Sequence, residues 1–348
     1  MYKTEKEIFA QCEALKMTIG ELENKKSEIR GFFRNGGFKA IVFTGCGSSY
    51  CVAKSAAFAM NIYAGIPSFA VSSGDLLLNA DDYGEIIKDA AFVTFSRSGS
   101  TSEVVYALEK IRAANPNFNY LSVCAKKDSP LSEIANLSVE IPWAYDESVC
   151  QTRSVSNMYL AGVSLAGIVS GNDGLLKSLS SAAEFGADFL NFHADAMKDL
   201  AKRDWDRAVV LSDGVLSGVG EEAALAFKEI CMVPSNYYNF LDVRHGPIVL
   251  IDEKTLVIAA LSPNENNYQP KLIDDIKSKG ALVIALGKNK IPSADYNAAL
   301  PDKISHPVDF AAYGLFLLFL AQLVSFYKAI NLNVNPDEPI GLSPWIKL

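Results

Sequence analysis

The chain has 348 residues, 49% of them hydrophobic and 21% charged, which is the balance of a folded globular protein with room for two domains. Its formal net charge of -8 argues against a general nucleic-acid binder, which would carry a basic face. A small anionic ligand remains compatible, because backbone N–H groups hold phosphate without net positive charge.

Residues 1–37 read as a charged N-terminal helix with no basic-then-apolar leader pattern, so the expected location is cytoplasmic. Lys39–Thr44 is a β-branched apolar run that ends in Gly45-Cys46-Gly47-Ser48-Ser49, and a helical pattern follows over Tyr50–Met60. Ala91–Ser96 and Asn119–Cys124 are two more buried-strand runs. A helical pattern over 176–203 then joins the halves. Beyond it the layout repeats, with strand runs at Arg207–Ser212, Thr255–Leu261 and Ala281–Leu286 and a helical pattern over Glu221–Val233. Matched runs are offset by roughly 160–170 residues, the mark of an internally duplicated α/β unit. The expected organisation is a first α/β domain over 38–175, a second over 204–330 and a tail over 331–348. Ala311–Ile330 is very apolar, but Gln322 and Lys328 interrupt it, so a buried helix is expected there rather than a membrane span. Of the six cysteines, Cys46, Cys51, Cys124, Cys150 and Cys231 sit in or beside apolar runs and none forms a C-x-x-C pair, which predicts reduced, mostly buried thiols.

In an open α/β sheet, ligands sit at the carboxyl ends of the strands, near helix N-termini. Ser96-Arg97-Ser98-Gly99-Ser100-Thr101 follows one such strand and precedes a helix beginning near Ser102-Glu103. Its hydroxyls and successive N–H groups, with Gly99 permitting a tight path, make a phosphate cradle. The alternative is a helix cap, which needs one hydroxyl rather than four.

That segment resembles the S-x-S-G-x-T phosphate loop of the sugar isomerase (SIS) family, and Gly45–Ser49 resembles the family's first loop, G-x-G-[ST]-S. Glu147–Arg153 is similar to the family's third conserved segment, which borders the sugar. Lys228-Glu229 and Arg244-His245-Gly246-Pro247, with Glu229 and His245 16 residues apart, resemble the K-E and [KR]-H-G-P motifs of glucosamine-6-phosphate synthase isomerase domains. Asn335–Pro339 fits a closing N-P-D-x-P. The resemblance covers nearly the whole chain. It implies two tandem SIS domains, each a flavodoxin-like parallel sheet between helices, acting on a sugar phosphate. Ser96, Arg97, Ser98 and Thr101 would hold the phosphate, and Cys46, Gly47, Ser48, Ser49, Val149, Gln151 and Arg153 would line the sugar. It also implies a homodimer with a shared active site, into which the histidine of the H-G-P loop reaches across the two-fold axis.

The departures bear on chemistry. The first strand begins near Lys39 and position 2 is Tyr2, so no glutaminase domain is expected. The Schiff-base lysine of the synthases falls near Pro344, and the lysine preceding their K-E pair falls at Ala226, which disfavours imine chemistry from an enzyme lysine. The pattern is closer to stand-alone phosphosugar isomerases, amino-sugar-phosphate deaminases and ketosamine-phosphate deglycases.

Aldose–ketose interconversion needs a ring-opening acid/base and a base that moves a proton between C1 and C2. Among three histidines, His245 lies in a loop and suits the first task, while His193 reads as a packed or solvated helix residue and His306 precedes a turn-like Pro307. Glu229 suits the second task, with Glu222 and Glu221 as weaker candidates on the same helix. No metal-ligand motif is present, and the lone G-x-G lacks the third glycine of a dinucleotide fingerprint, so neither metal nor NAD is expected. Three classes stay open: a phosphosugar isomerase with or without deaminase activity, a ketosamine-6-phosphate deglycase, and a non-catalytic sugar-phosphate sensor. The sensor class usually carries a helix-turn-helix domain, for which the segment before Lys39 is too short.

Overall fold

A computed structural model describes every residue except 116–117, 264–266 and 301–309. Two helices open the chain, α1 (Lys3–Asn24) and α2 (Lys26–Asn35), divided at Lys25. The first sheet then forms from β1 (Ala40–Gly45), α3 (Ser48–Ala59), β2 (Ser68–Ser72), α4 (Ser73–Asn79), α5 (Gly84–Ile87), β3 (Ala90–Ser96), α6 (Ser102–Ala114), β4 (Asn119–Cys124), α7 (Pro130–Glu133) and β5 (Leu137–Glu140). Helices α8 (Arg153–Ser170) and α9 (Asp173–Ala201) follow. The second sheet is built from β6 (Arg207–Leu211), α10 (Ser217–Ile230), β7 (Ser235–Tyr238), β8 (Thr255–Ala260), α11 (Tyr268–Ser278), β9 (Leu282–Gly287) and β10 (Tyr296–Ala299), and α12 (Tyr313–Asn331) closes the helical part.

Both sheets are five-stranded and parallel, in the orders β2-β1-β3-β4-β5 and β7-β6-β8-β9-β10. The same strand order in both halves is what duplication of one α/β unit produces. Central strands β3, β8 and β9 are buried at every position, so their sequences read as unbroken apolar runs. In the first sheet one face packs Val42, Phe92 and Tyr120 against Val104, Leu108 and Ile111 of α6. Gly162 lets α8 approach closely, since a Cβ there would lie 2.9 Å from the Phe95 ring and 3.0 Å from Ala56 Cβ.

The chain divides into two compact units. One holds the first sheet and comprises Ala10–Glu147, Gln151–Ser180 and Ser343–Leu348; the other holds the second sheet and comprises Met1–Phe9, Ser148–Cys150 and Ser181–Leu342. In the second-sheet unit, the Asp337 carboxylate accepts from Lys3 N at 2.9 Å, Thr4 N at 2.8 Å and Thr4 Oγ1 at 2.8 Å. That contact gives the N-P-D-x-P segment a structural role, because it satisfies the first amides of α1. Val149 N donates to Asp337 O at 2.9 Å, and Glu7 accepts from Ser148 N and Oγ.

The apolar C-terminal segment is a core helix. Phe310–Asn331 has a mean hydropathy of 1.8 in its most apolar window, and 89% of that window is buried. Five cysteines are buried and Cys46 is half-buried, and all six are free thiols.

Candidate functional site

In the first-sheet unit, strand order reverses between β1 and β3, and the loops that leave their carboxyl ends face the same crevice. The loop after β3 is Ser96–Thr101. Ser96, Arg97 and Ser98 are buried, and Gly99 N donates to Ser96 Oγ at 2.8 Å. Ser100 N donates to Ser98 Oγ at 3.3 Å, and the Ser98 and Thr101 hydroxyls lie 3.5 Å apart. Gly99 has φ +64°, and a Cβ there would meet Ser129 Oγ at 2.2 Å and Cys124 Sγ at 2.7 Å, so only glycine fits.

Thr101 occupies the position before α6, yet its hydroxyl makes no capping bond. The capping alternative therefore does not account for it, and Thr101 Oγ1 stays beside Ser98 Oγ. This loop and the first residue of α6 meet the chain's own tail. Arg97 Nη2 donates to Pro344 O, Ser102 N to Ile346 O at 3.4 Å, and Leu348 N to Ser102 Oγ at 3.2 Å.

The loop after β1 begins α3. Gly47 lies at φ +54° before the helix, and Ser48 and Ser49 are buried in its first turn. Cys46 is half-buried, and its thiol is pushed up to about 11, first by burial and then by the Glu103 carboxylate. It is a neutral thiol at physiological pH.

The third segment leaves the carboxyl end of β5 and is organised by a residue that the sequence reading did not single out. Buried Asp146 accepts from Thr152 N at 3.1 Å, Arg153 N at 3.0 Å, Ser154 N at 3.0 Å, Thr152 Oγ1 at 3.3 Å and Ser154 Oγ. These donors start α8, so Asp146 fixes where Arg153 emerges. A D-x5-T-x-S pattern ahead of an apolar helix was the available signal. Arg153 Nη2 donates to Tyr145 O, while its Nε is buried with no hydrogen-bond partner among the described residues. Gln151 Oε1 accepts from Ser154 Oγ at 3.0 Å. Thus Cys46–Ser49, Ser96–Thr101, Gln151 and Arg153 share the carboxyl edge of one sheet, whereas Val149 belongs to the other unit.

In the second-sheet unit, Glu229 sits one residue before the end of α10 and is half-buried. It lines a cavity of about 720 Å³ together with Leu225, Met232, Pro234, Asn236 and Ile340. Glu222 is buried in the packing of α10. His245 is exposed in the loop after β7, and Leu241, Val249 and Leu250 beside it are exposed as well.

Alternation along β7 separates these two candidates. Ser235 Oγ donates to Ala224 O, and the Tyr237 ring lies 2.8 Å from where a Gly220 Cβ would stand, so α10 covers that face. Tyr238 faces the opposite way, into a cluster with Phe240, Val243 and Ile251 and with Leu272, Ile273 and Ile276 of α11. Helix α10, which carries Glu229, thus covers one face of β7, while Val243, two residues before His245, packs with the α11 cluster on the other.

His193 is buried against Phe189, with Nδ1 2.6 Å from the Tyr296 hydroxyl. Burial holds its pKa below the usual imidazole value, in keeping with a packed residue. His306 lies outside the described residues. Among the described residues no group of three or more His, Cys, Asp or Glu side chains could hold a metal ion.

The model of the SIS domain matches residues 38–167 and 203–332. A glutamine–fructose-6-phosphate aminotransferase from Wigglesworthia glossinidia brevipalpis is 25% identical over 97% of this chain, which spans 57% of that protein's length. A D-galactosamine-6-phosphate deaminase from Escherichia coli is 23% identical over 97% of this chain and 91% of its own length. Among solved structures, a glucosamine-6-phosphate deaminase from Thermotoga maritima superposes with a TM-score of 0.82 at 24% identity, covering 99% of this chain and 100% of that one. A tagatose-6-phosphate ketose/aldose isomerase from Escherichia coli gives 0.85 at 22% identity, covering 99% and 95%.

Proposed function

The chain belongs to the SIS domain family, with one SIS domain in each half, and from that premise we propose that it is a sugar-phosphate aldose–ketose isomerase that also deaminates amino-sugar phosphates. The observation that carries this reading is the Ser96–Thr101 loop. It brings three hydroxyls around a glycine that nothing else can replace, before a helix whose N-terminus favours an anion. Ser96, Arg97, Ser98 and Thr101 hold the phosphate, while Cys46–Ser49, Gln151 and Arg153 border the sugar. The buried Nε of Arg153, without a partner among the described residues, supports that role, since a substrate oxygen would complete it.

In the proposed mechanism His245 opens the pyranose ring by moving a proton between the ring oxygen and O1. Glu229 then removes the proton from C2 and returns it to C1 through a cis-enediol. With a 2-amino sugar the same shift leaves a C2 iminium, which water hydrolyses to a ketose phosphate and ammonia. Glu229 is favoured over Glu222 because it faces a cavity while Glu222 is packed inside.

We place the two groups in different subunits of a homodimer. The separation of the α10 end from the Val243 loop supports the reading that the Glu229 and His245 of one chain serve two different substrates. The apolar side chains exposed around His245, with Val249 75% and Leu250 60% accessible, suit burial against a second copy. The test is complementation. Inactive Glu229→Gln mixed with inactive His245→Ala should regain part of the activity, assayed on hexose and hexosamine 6-phosphates by mass spectrometry. Exchange of subunits without recovery would place both groups in one chain's site, and release of an amine other than ammonia would make the enzyme a deglycase.

A further inference from the structure

Glu103 stands at the second position of α6, directly after the phosphate loop. Its Oε2 is buried and accepts no hydrogen bond among the described residues. A glutamate in a first helical turn serves the helix dipole well enough with its carboxylate in water. Burying one oxygen without a donor costs free energy that this service does not require, so such an oxygen is kept where something else supplies the donor. The carboxylate lies near enough to Cys46 of the first loop to oppose ionisation of that thiol.

An ionised carboxylate can only accept hydrogen bonds. Placed in an anion cradle, it repels an anion that has no proton and welcomes one that can donate an O–H. Resting on the assignment of Ser96–Thr101 to phosphate, we propose that Glu103 is a specificity-determining residue that makes the cradle select protonated phosphate over fully ionised anions. The selected species carries a P–OH that donates to Glu103 Oε2 while the hydroxyls and amides of the loop serve its other oxygens. Phosphate monoesters lose this proton near pH 6, whereas sulfate carries none in the neutral range.

The experiment is calorimetric titration of the full chain with inorganic phosphate, methyl phosphate and sulfate. Wild-type protein is expected to prefer inorganic phosphate over sulfate by about 10-fold or more, the scale of one charge-assisted hydrogen bond. Glu103→Gln should shrink that ratio toward one, because the amide can donate to sulfate. Should the variant fail to fold, the wild type still decides the matter: methyl phosphate should bind more tightly as pH falls from 8 to 5.5, while sulfate should not. Equal binding of phosphate and sulfate, a ratio unmoved by Glu103→Gln, or methyl phosphate binding that ignores pH would overturn this inference. If those failures occur while Ser98→Ala still weakens phosphate, the phosphate loop stands and only the role of Glu103 falls. If none of the three anions and no phosphosugar binds, the phosphate assignment itself falls.

Discussion

Replacing Gly99 with alanine should cripple both the stability and the binding function of the first-sheet unit. The residue sits at φ +64°, where a Cβ costs about 1–2 kcal/mol. The added methyl would stand 2.2 Å from Ser129 Oγ, 2.3 Å from Ser129 Cβ and 2.7 Å from Cys124 Sγ, all far inside contact distance. Ser129 cannot simply turn aside. Its hydroxyl accepts from Ser132 N at 3.2 Å as the cap of α7 and lies 3.5 Å from Cys124 Sγ. Relieving the clash therefore adds overpacking strain of about 1–3 kcal/mol. The sum is about 2–5 kcal/mol, to be read from urea denaturation of wild type and variant. Phosphosugar affinity should fall with it, because the Ser98 and Thr101 hydroxyls move with the loop. Ser98→Ala is the contrasting control: stability should hold while affinity drops by about 1–3 kcal/mol, the value of a hydrogen bond to a charged group. A Gly99→Ala protein within about 0.5 kcal/mol of wild type, with full phosphosugar affinity, would refute the geometric argument.

Glu229→Gln should lower turnover at least about 100-fold with substrate affinity retained, whereas full activity would move the base to Glu222. Asp337→Ala removes the acceptor for Lys3 N, Thr4 N and Thr4 Oγ1 and should destabilise the second-sheet unit by about 1–2 kcal/mol; an unchanged denaturation midpoint would mean that α1 needs no such cap. Burial pushes Cys12 and Cys231 up to about 12 and Cys46 up to about 11. Unfolded thiols ionise near pH 9 while the folded ones stay protonated, so stability should be constant below that pH and fall as pH rises from 9 toward 11. A denaturation midpoint that holds steady across that range, after subtraction of the slope retained by Cys→Ser variants, would contradict it.

The strands at the centre of each sheet were legible because burial on both faces leaves continuous apolar runs, as in Ala91–Ser96 and Asn119–Cys124. The outer strands were not. β2 (SFAVS), β7 (SNYY) and β10 (YNAA) mix polar and apolar residues because only part of each is covered, and nothing in such a short run distinguishes it from a loop. The Ser96–Thr101 loop proposed to hold phosphate stands out in the sequence because its residues are consecutive, with one glycine between hydroxyls. The partner of that glycine, Ser129, lies 30 residues away, and the organiser of the Arg153 turn, Asp146, reads as an ordinary loop aspartate until its five donors are seen together. That α10 covers one face of β7 while Val243 of the His245 loop packs with α11 on the other depends on the alternation of β7, and a spacing of 16 residues carries no trace of it.

The central claim is that a sugar phosphate held by Ser96–Thr101 exchanges a proton between C1 and C2. The direct measurement is proton NMR of hexose and hexosamine 6-phosphates incubated with the protein in deuterated water. The account predicts that at least one of them interconverts with its ketose and gains solvent deuterium at C1 or C2, that the signal vanishes with Glu229→Gln, and that Ser98→Ala weakens it through affinity. Absence of both exchange and conversion across the whole panel, with a folded protein that binds those same phosphosugars, would contradict the account and leave a sugar-phosphate sensor in place of the enzyme.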